Sequence, residues 1–275
     1  MEELLSWARI IVSLIFLVYA SWSDFKTREV SNNVWVVFAP IALSLTFAQF
    51  LFFPPSPRLF LGTNGDEIVA MINYGISFAI SSIFAIAIFY VGAFGGADAK
   101  ALICLALALP LPPDPIKPLS DFVSPIFPIT IFSNSVIVAA LSVFYALLRN
   151  LLWKQRTRQQ LFEGYERESL GRKTLALLCG YKVSIADLEK SFLYPLEDVQ
   201  TTQEGGLKRR LLVFPKDEAR EEIVGRIVKA EKEGKIQNIV WATPGLPMLI
   251  FITIGLILAF TVGDIIWILI GQIIG

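Results

Sequence analysis

Apolar residues run along this chain in long uninterrupted blocks rather than alternating with polar ones. Five blocks, roughly Leu4–Trp22, Val34–Phe53, Ile68–Val91, Phe127–Leu148 and Pro247–Ile270, approach or exceed the ~20 residues that cross a hydrocarbon core as a helix. A sixth, Ala99–Leu109, is as apolar but ends at Pro110. At about 1.5 Å per residue it reaches roughly 16 Å, half a bilayer core, and is read as a short or re-entrant segment. The first block is expected to be a retained helix rather than a signal peptide. It opens on Glu2 and Glu3 instead of basic residues, and no small-residue cleavage site precedes Ser23.

Between the fifth and last segments the pattern changes. Residues 151–240 hold 17 of the 24 Lys and Arg and 14 of the 24 Asp and Glu, which places this stretch outside lipid. Ile223, Val224, Ile227 and Val228 recur at helical spacing within Asp217–Glu233, predicting a short amphipathic helix, and Leu211–Phe214 before Pro215 reads as a strand. The expected fold is therefore an all-α membrane protein of about six transmembrane helices, with a small α+β domain inserted before the last. The divisions are 1–150 with five membrane segments, 151–240 as the soluble domain, and 241–275 with the final segment.

Composition agrees with the pattern. The chain is 55% hydrophobic and only 17% charged, against about 25% charged in soluble domains, and its mean hydropathy is +0.61. Zero net charge gives no reason to expect nucleic acid as a partner. The absence of histidine rules out Ser-His-Asp and Cys-His catalysis and every His-bearing zinc site. Cys104 and Cys179 form no CxxC pair, and two thiolates alone make a poor metal site. Charge also orients the segments. Lys26, Arg28, Lys100, Arg149, Lys154, Arg156 and Arg158 fall on one side if six segments alternate, whereas the other side carries only Arg58 and Lys117 among acidic residues. The basic side is expected to be cytoplasmic, with the soluble domain on it and both termini outside.

Acid–base chemistry then rests on carboxylates, Lys, Tyr or a thiol. Asp24 directly follows the first apolar block, and Asp98 directly precedes the short one, both on the expected cytoplasmic side. An ionisable group at a membrane boundary is costly unless it serves a water-filled site or a partner. Each is equally readable as a helix end, and Asp98 suits the start of a helix. Gly92, Gly95 and Gly96 precede Asp98. Small residues of this kind admit a close second backbone, which a protease needs for an extended substrate and which helix packing in membranes also uses. Asp264, near the end of the last block, is expected on the opposite side, away from both.

The run Gly95-Gly96-Ala97-Asp98 resembles the G-x-hydrophobic-Asp signature of the type IV prepilin peptidase-like membrane aspartyl proteases, and Ser23-Asp24-Phe25-Lys26-Thr27-Arg28-Glu29-Val30 resembles their first-aspartate motif. Phe127-Pro128-Ile129, Leu148-Arg149-Asn150 and Trp241-Ala242-Thr243-Pro244 are similar to the archaeal branch, the preflagellin (prearchaellin) peptidases. The similarity spans most of the membrane part and is much weaker over 151–240. Ala97 stands where the stricter GxGD pattern has glycine, and the cysteine-rich domain of the bacterial enzymes is missing, so methylation of the product is not expected. No Tyr precedes Asp24, which separates the chain from the presenilin branch.

The resemblance implies that Asp24 and Asp98 are the catalytic pair, with Gly95, Gly96 and Ala97 as the supporting motif. It implies a multi-pass enzyme of the cell membrane, an aspartic endopeptidase that requires no metal or organic cofactor. Such an enzyme removes the short basic leader (class III signal) peptide from archaellin or type IV pilin-like precursors at the cytoplasmic face, with that precursor and the lipid bilayer as its partners. The competing expectation is a non-enzymatic polytopic transporter or scaffold that uses boundary carboxylates. A metal-dependent transferase is disfavoured because the two carboxylates are isolated in sequence. Residues 151–240 supply no catalytic pair of their own and are expected to dock or gate the substrate.

Overall fold

The computed structural model describes residues 1–53, 67–92, 94–120, 124–201, 207–212 and 219–274. The chain forms two compact units, one of Met1–Ala139 with Pro247–Gly275 and a second of Ala140–Leu246.

The first unit opens with α1 (Glu2–Thr27), α2 (Asn32–Phe52) and α3 (Glu67–Tyr90). Along α1, Leu4, Trp7, Ile11, Ile15, Val18 and Trp22 are exposed at helical spacing, while Ser6, Ser13, Ala20 and Ser21 are buried. Apolar outside and small or polar inside is how helices pack in lipid, where burying apolar surface against a neighbour gives no advantage over burying it in acyl chains. α3 ends at Gly92, whose φ of +79° closes the helix in a conformation that costs glycine nothing.

α4 (Gly96–Ala108) is the short segment, and it packs against α1, α2, α3 and α10 (Met248–Thr261). Ala99, Ala101, Leu102, Cys104, Leu105, Ala106 and Ala108 are all buried, so protein surrounds the helix on nearly every side. Its end therefore does not face lipid, where freed carbonyls would go unsatisfied. The Thr46 hydroxyl of α2 donates to the Leu107 carbonyl at 2.7 Å. The Ser77 hydroxyl of α3 and the Phe127 amide, which opens α5 (Phe127–Ala140), both donate to the Pro110 carbonyl. This answers how 13 residues fit.

Four helical stretches are long and apolar enough to cross a membrane: Glu2–Thr27, Asn32–Phe52, Met71–Tyr90 and Phe127–Thr157. The last is α5 continued, after a break at Leu141, by α6 (Ser142–Thr157). A fifth span is counted if α10 and α11 (Ile265–Ile274), bent by 60°, are taken as one. The chain is thus a mostly helical, multi-pass membrane protein with four or five such spans among the described residues. The expected count of six exceeds this because α4 is too short to span and is enclosed instead.

The second unit continues from α6 through α7 (Leu170–Cys179), β1 (Tyr181–Ser184), α8 (Ile185–Lys190), β2 (Leu193–Pro195), β3 (Glu197–Thr201), β4 (Leu207–Leu211), α9 (Arg220–Lys232) and β5 (Ile239–Pro244). β5 is central in an antiparallel sheet, pairing Tyr181↔Ala242 on β1 and Pro195↔Ala242 on β2. β3 and β4 form a separate hairpin. The predicted amphipathic helix is α9, which buries Ile223, Val224 and Ile227. The strand expected at Leu211–Phe214 lies earlier, as β4, with only its first residue shared; Val213 and Phe214 fall outside the described residues.

Some of this unit's charged side chains are buried. Glu197 is fully enclosed: it accepts from the Tyr165 hydroxyl, from the Trp241 amide at 2.7 Å, and twice from Arg209, at 2.6 and 3.1 Å. Lys182 lies between the rings of Tyr165 and Trp241, 5.2 and 5.1 Å from their centroids. Burial pushes its ammonium pKa down to about 8.

Candidate active site

Asp24 lies in the last turn of α1. Arg28 ends that helix in the left-handed conformation, at φ 58°, and its amide donates to the Asp24 carbonyl at 2.9 Å. The hydroxyls of Ser23 and Thr27 both donate to the Glu29 carbonyl, at 2.8 and 3.0 Å, so the turn into α2 is tied to the helix that carries Asp24. Ser31 then caps α2, accepting from the Asn33 amide.

Asp98 is the third residue of α4, where a carboxylate meets the helix's unpaired amides. Its Oδ2 accepts from the Gly95 amide at 3.0 Å. Lys100, on the next turn, donates from Nζ to Asn32 Oδ1 at 2.7 Å, fastening the start of α4 to the start of α2.

These two helix ends come together. Asp98 stands within electrostatic reach of Asp24, and the backbone amide of Leu249, in the first turn of α10, faces the Asp24 carboxylate. Both aspartates are partly exposed, while Ala99 and Leu102 next to Asp98 are buried. The two carboxylates thus reach the protein surface at one end of the bundle. Two carboxylates brought close together resist ionising at the same time.

The supporting residues differ in how they bear on Asp98. A Cβ on Gly95 would sit 3.1 Å from Asp98 Oδ2, whereas one on Gly96 would make an ordinary 3.6 Å contact with Phe89. Ala97 packs against the bundle core. Asp264 is not part of this cluster. It is buried at the break between α10 and α11, accepts from the amides of Ile266 and Trp267 at 3.1 and 3.3 Å, and takes a bond from the Thr130 hydroxyl at 3.0 Å. It caps α11. Two further features are not foreseen from the sequence. Arg9, inside the first apolar block, is buried and donates to the Tyr74 hydroxyl at 3.4 Å. The Leu249 amide carries no side-chain signal at all.

Comparison with known proteins defines the class. Residues 11–143, which include both aspartates, match the type IV leader peptidase family, and residues 172–265 match the archaeal peptidase A24 C-terminus, type II. The chain belongs to the type IV leader peptidase family and is an aspartic-type peptidase. It is 25% identical to the preflagellin peptidase of Methanococcus voltae over 259 residues, 92% of this chain and 94% of that protein. Similarity to the preflagellin peptidase of Methanococcus maripaludis is also 25%, over 261 residues, with the same coverage. The non-enzymatic transporter or scaffold is thereby set aside.

Proposed function

We propose that Asp24 and Asp98 are the catalytic pair of an endopeptidase that removes the short basic leader peptide from archaellin or pilin-like precursors at the cytoplasmic face of the membrane. The observation that carries this reading is that the two carboxylates, from distant parts of the chain, lie within electrostatic reach of each other at one partly exposed end of the helical bundle. The ionised member takes a proton from a bound water as that water attacks the scissile carbonyl. The protonated member donates a hydrogen bond to the carbonyl oxygen, stabilises the tetrahedral intermediate, and hands a proton to the departing amine. The names of the two relatives support an archaellin precursor as substrate. The cluster of Lys26, Arg28 and Lys100 around the aspartates supports the cytoplasmic placement.

Incubating the purified full-length protein in lipid with an archaellin precursor should release one leader fragment, identified by mass, and a metal chelator should leave the rate unchanged. Cleavage at scattered sites, or loss of activity with the chelator, would sink this function. Sidedness is read by single cysteines in a Cys179→Ser background, because Cys179 is exposed. Positions 27 and 157 should label only from the cytoplasm and position 114 from outside; the reverse pattern would put the site on the wrong face.

Gly95 offers a test of the carboxylate's placement. Its φ and ψ of −70° and 159° suit alanine, so the backbone gives no objection to Gly95→Ala. The added methyl would press on Asp98 Oδ2 at 3.1 Å and displace it. Misplacing a reacting group by an ångström costs about 10²-fold; the smaller shift here should lower kcat by about tenfold. Gly96→Ala should stay within about twofold of the parent. Equal rates for the two variants would mean that Asp98 is not needed where the structure holds it.

A further inference from the structure

The first turn of α10 meets the end of α1 near Asp24, and there both backbone groups of Leu249 are engaged. Its amide faces the Asp24 carboxylate. Its carbonyl accepts from the Thr253 hydroxyl at 2.9 Å. Thr253 Oγ1 also lies 2.8 Å from Ser21 Oγ, a hydrogen bond that joins the two helices directly. Ser21 lies one helical turn before Asp24 on α1, and Thr253 one turn after Leu249 on α10. The Ser21–Thr253 bond thus ties α1 to α10 one turn away from both Asp24 and Leu249.

The tie is buried: Ser21 and Thr253 are each 8% exposed and Leu249 is fully enclosed. Side-chain hydroxyls at this depth have little competition from water, so the bond fixes how far α10 slides along α1. The opposite side of α10 has no slack to change that setting. A Cβ on Gly255 would lie 2.5 Å from the Ile131 carbonyl of α5, so the two helices are already at backbone contact. A shift of α10 along its axis would carry the Leu249 amide past the carboxylate it faces.

We infer that Ser21 and Thr253 are positioning residues for the catalytic centre, holding the first turn of α10 against the end of α1 that carries Asp24. This rests on the reading of Asp24 as catalytic. Neither hydroxyl touches the substrate, so losing one should alter turnover and not binding.

The test compares Thr253→Val, Thr253→Ser, Ser21→Ala and Asp24→Asn in the full-length protein, measuring kcat and KM for precursor cleavage together with the unfolding temperature. Valine keeps the shape of threonine and removes the hydroxyl; serine keeps the hydroxyl and removes the methyl. Thr253→Val should lower kcat about tenfold with KM within about twofold, Thr253→Ser should recover most of the rate, and Ser21→Ala should fall between them. Wild-type kcat in Thr253→Val, or a serine variant as slow as the valine one, overturns the inference. So does activity lost only in proportion to lost folded protein. If Thr253→Val does not fold, Ser21→Ala decides: wild-type kcat overturns, reduced kcat at unchanged KM supports. An inactive Asp24→Asn alongside a normal Thr253→Val would refute positioning alone, whereas an active Asp24→Asn would refute the dyad itself.

Discussion

Asp24→Asn and Asp98→Asn should each lower kcat/KM for precursor cleavage by at least about 10³-fold, with both proteins still inserted and folded. The magnitude follows from the role: acid–base groups acting directly on the reacting atoms contribute about 10² to 10⁴ each, and this pair works as a unit. Asparagine has the same shape as aspartate, and its Oδ1 still accepts from the Gly95 amide at position 98 or faces the Leu249 amide at position 24. What it loses is the exchangeable proton. The double variant should be little slower than either single one, because half a dyad has no partner with which to share a proton. Asp264→Asn is the control. Asparagine caps α11 as well as aspartate does, so activity should stay within about twofold. Near-normal turnover in either dyad variant would end the aspartyl mechanism, as would a double variant whose loss is the product of the two single losses.

Much of this site is legible in the order of residues alone. Asp24 and Asp98 stand out because each ends an apolar block, and a charge at that depth needs a reason. The brevity of the segment after Asp98 is equally plain from Pro110. Its enclosure is not, because what satisfies the end of α4 is a set of single hydroxyls, Thr46 and Ser77, on helices far away in sequence. The bend at Asp264 has a signal, Gly263 followed by a capping residue, but a window of hydropathy runs straight over it. Gly263 adopts a φ of +101° there. Arg9 is hidden in the same way, one cation averaged into an apolar block. The Leu249 amide has no signal of any kind, since backbone donors are identical at every position and only tertiary packing decides where they point.

The soluble unit shows the same limit, and its charges give the second large expected effect. Glu197, Arg209 and Lys182 sit among charges that composition assigns to solvent, yet Glu197 has no exposed surface and satisfies three partners at once. Glu197→Ala leaves the Arg209 guanidinium, the Tyr165 hydroxyl and the Trp241 amide without their acceptor. Removing one member of a buried ion pair costs about 3–5 kcal/mol, more than most single substitutions. That is a large share of what a domain of this size has to lose. Arg209 is only slightly exposed and the burial of Tyr165 holds its hydroxyl well above the ordinary tyrosine range, so neither readily finds water instead. The loss should appear as faster protease cutting near Tyr165 and a lower denaturant midpoint for this unit, with Trp241 fluorescence changing as its stacking on Phe162, at 5.0 Å, is released. A second variant separates charge from shape. Replacing both partners, Glu197→Leu with Arg209→Met, removes the stranded cation, and paired apolar replacements of buried ions are often neutral. The double variant should therefore be more stable than Glu197→Ala. If Glu197→Ala instead costs under about 1 kcal/mol, in the range of an exposed pair, the cluster is not what holds β3 to β5.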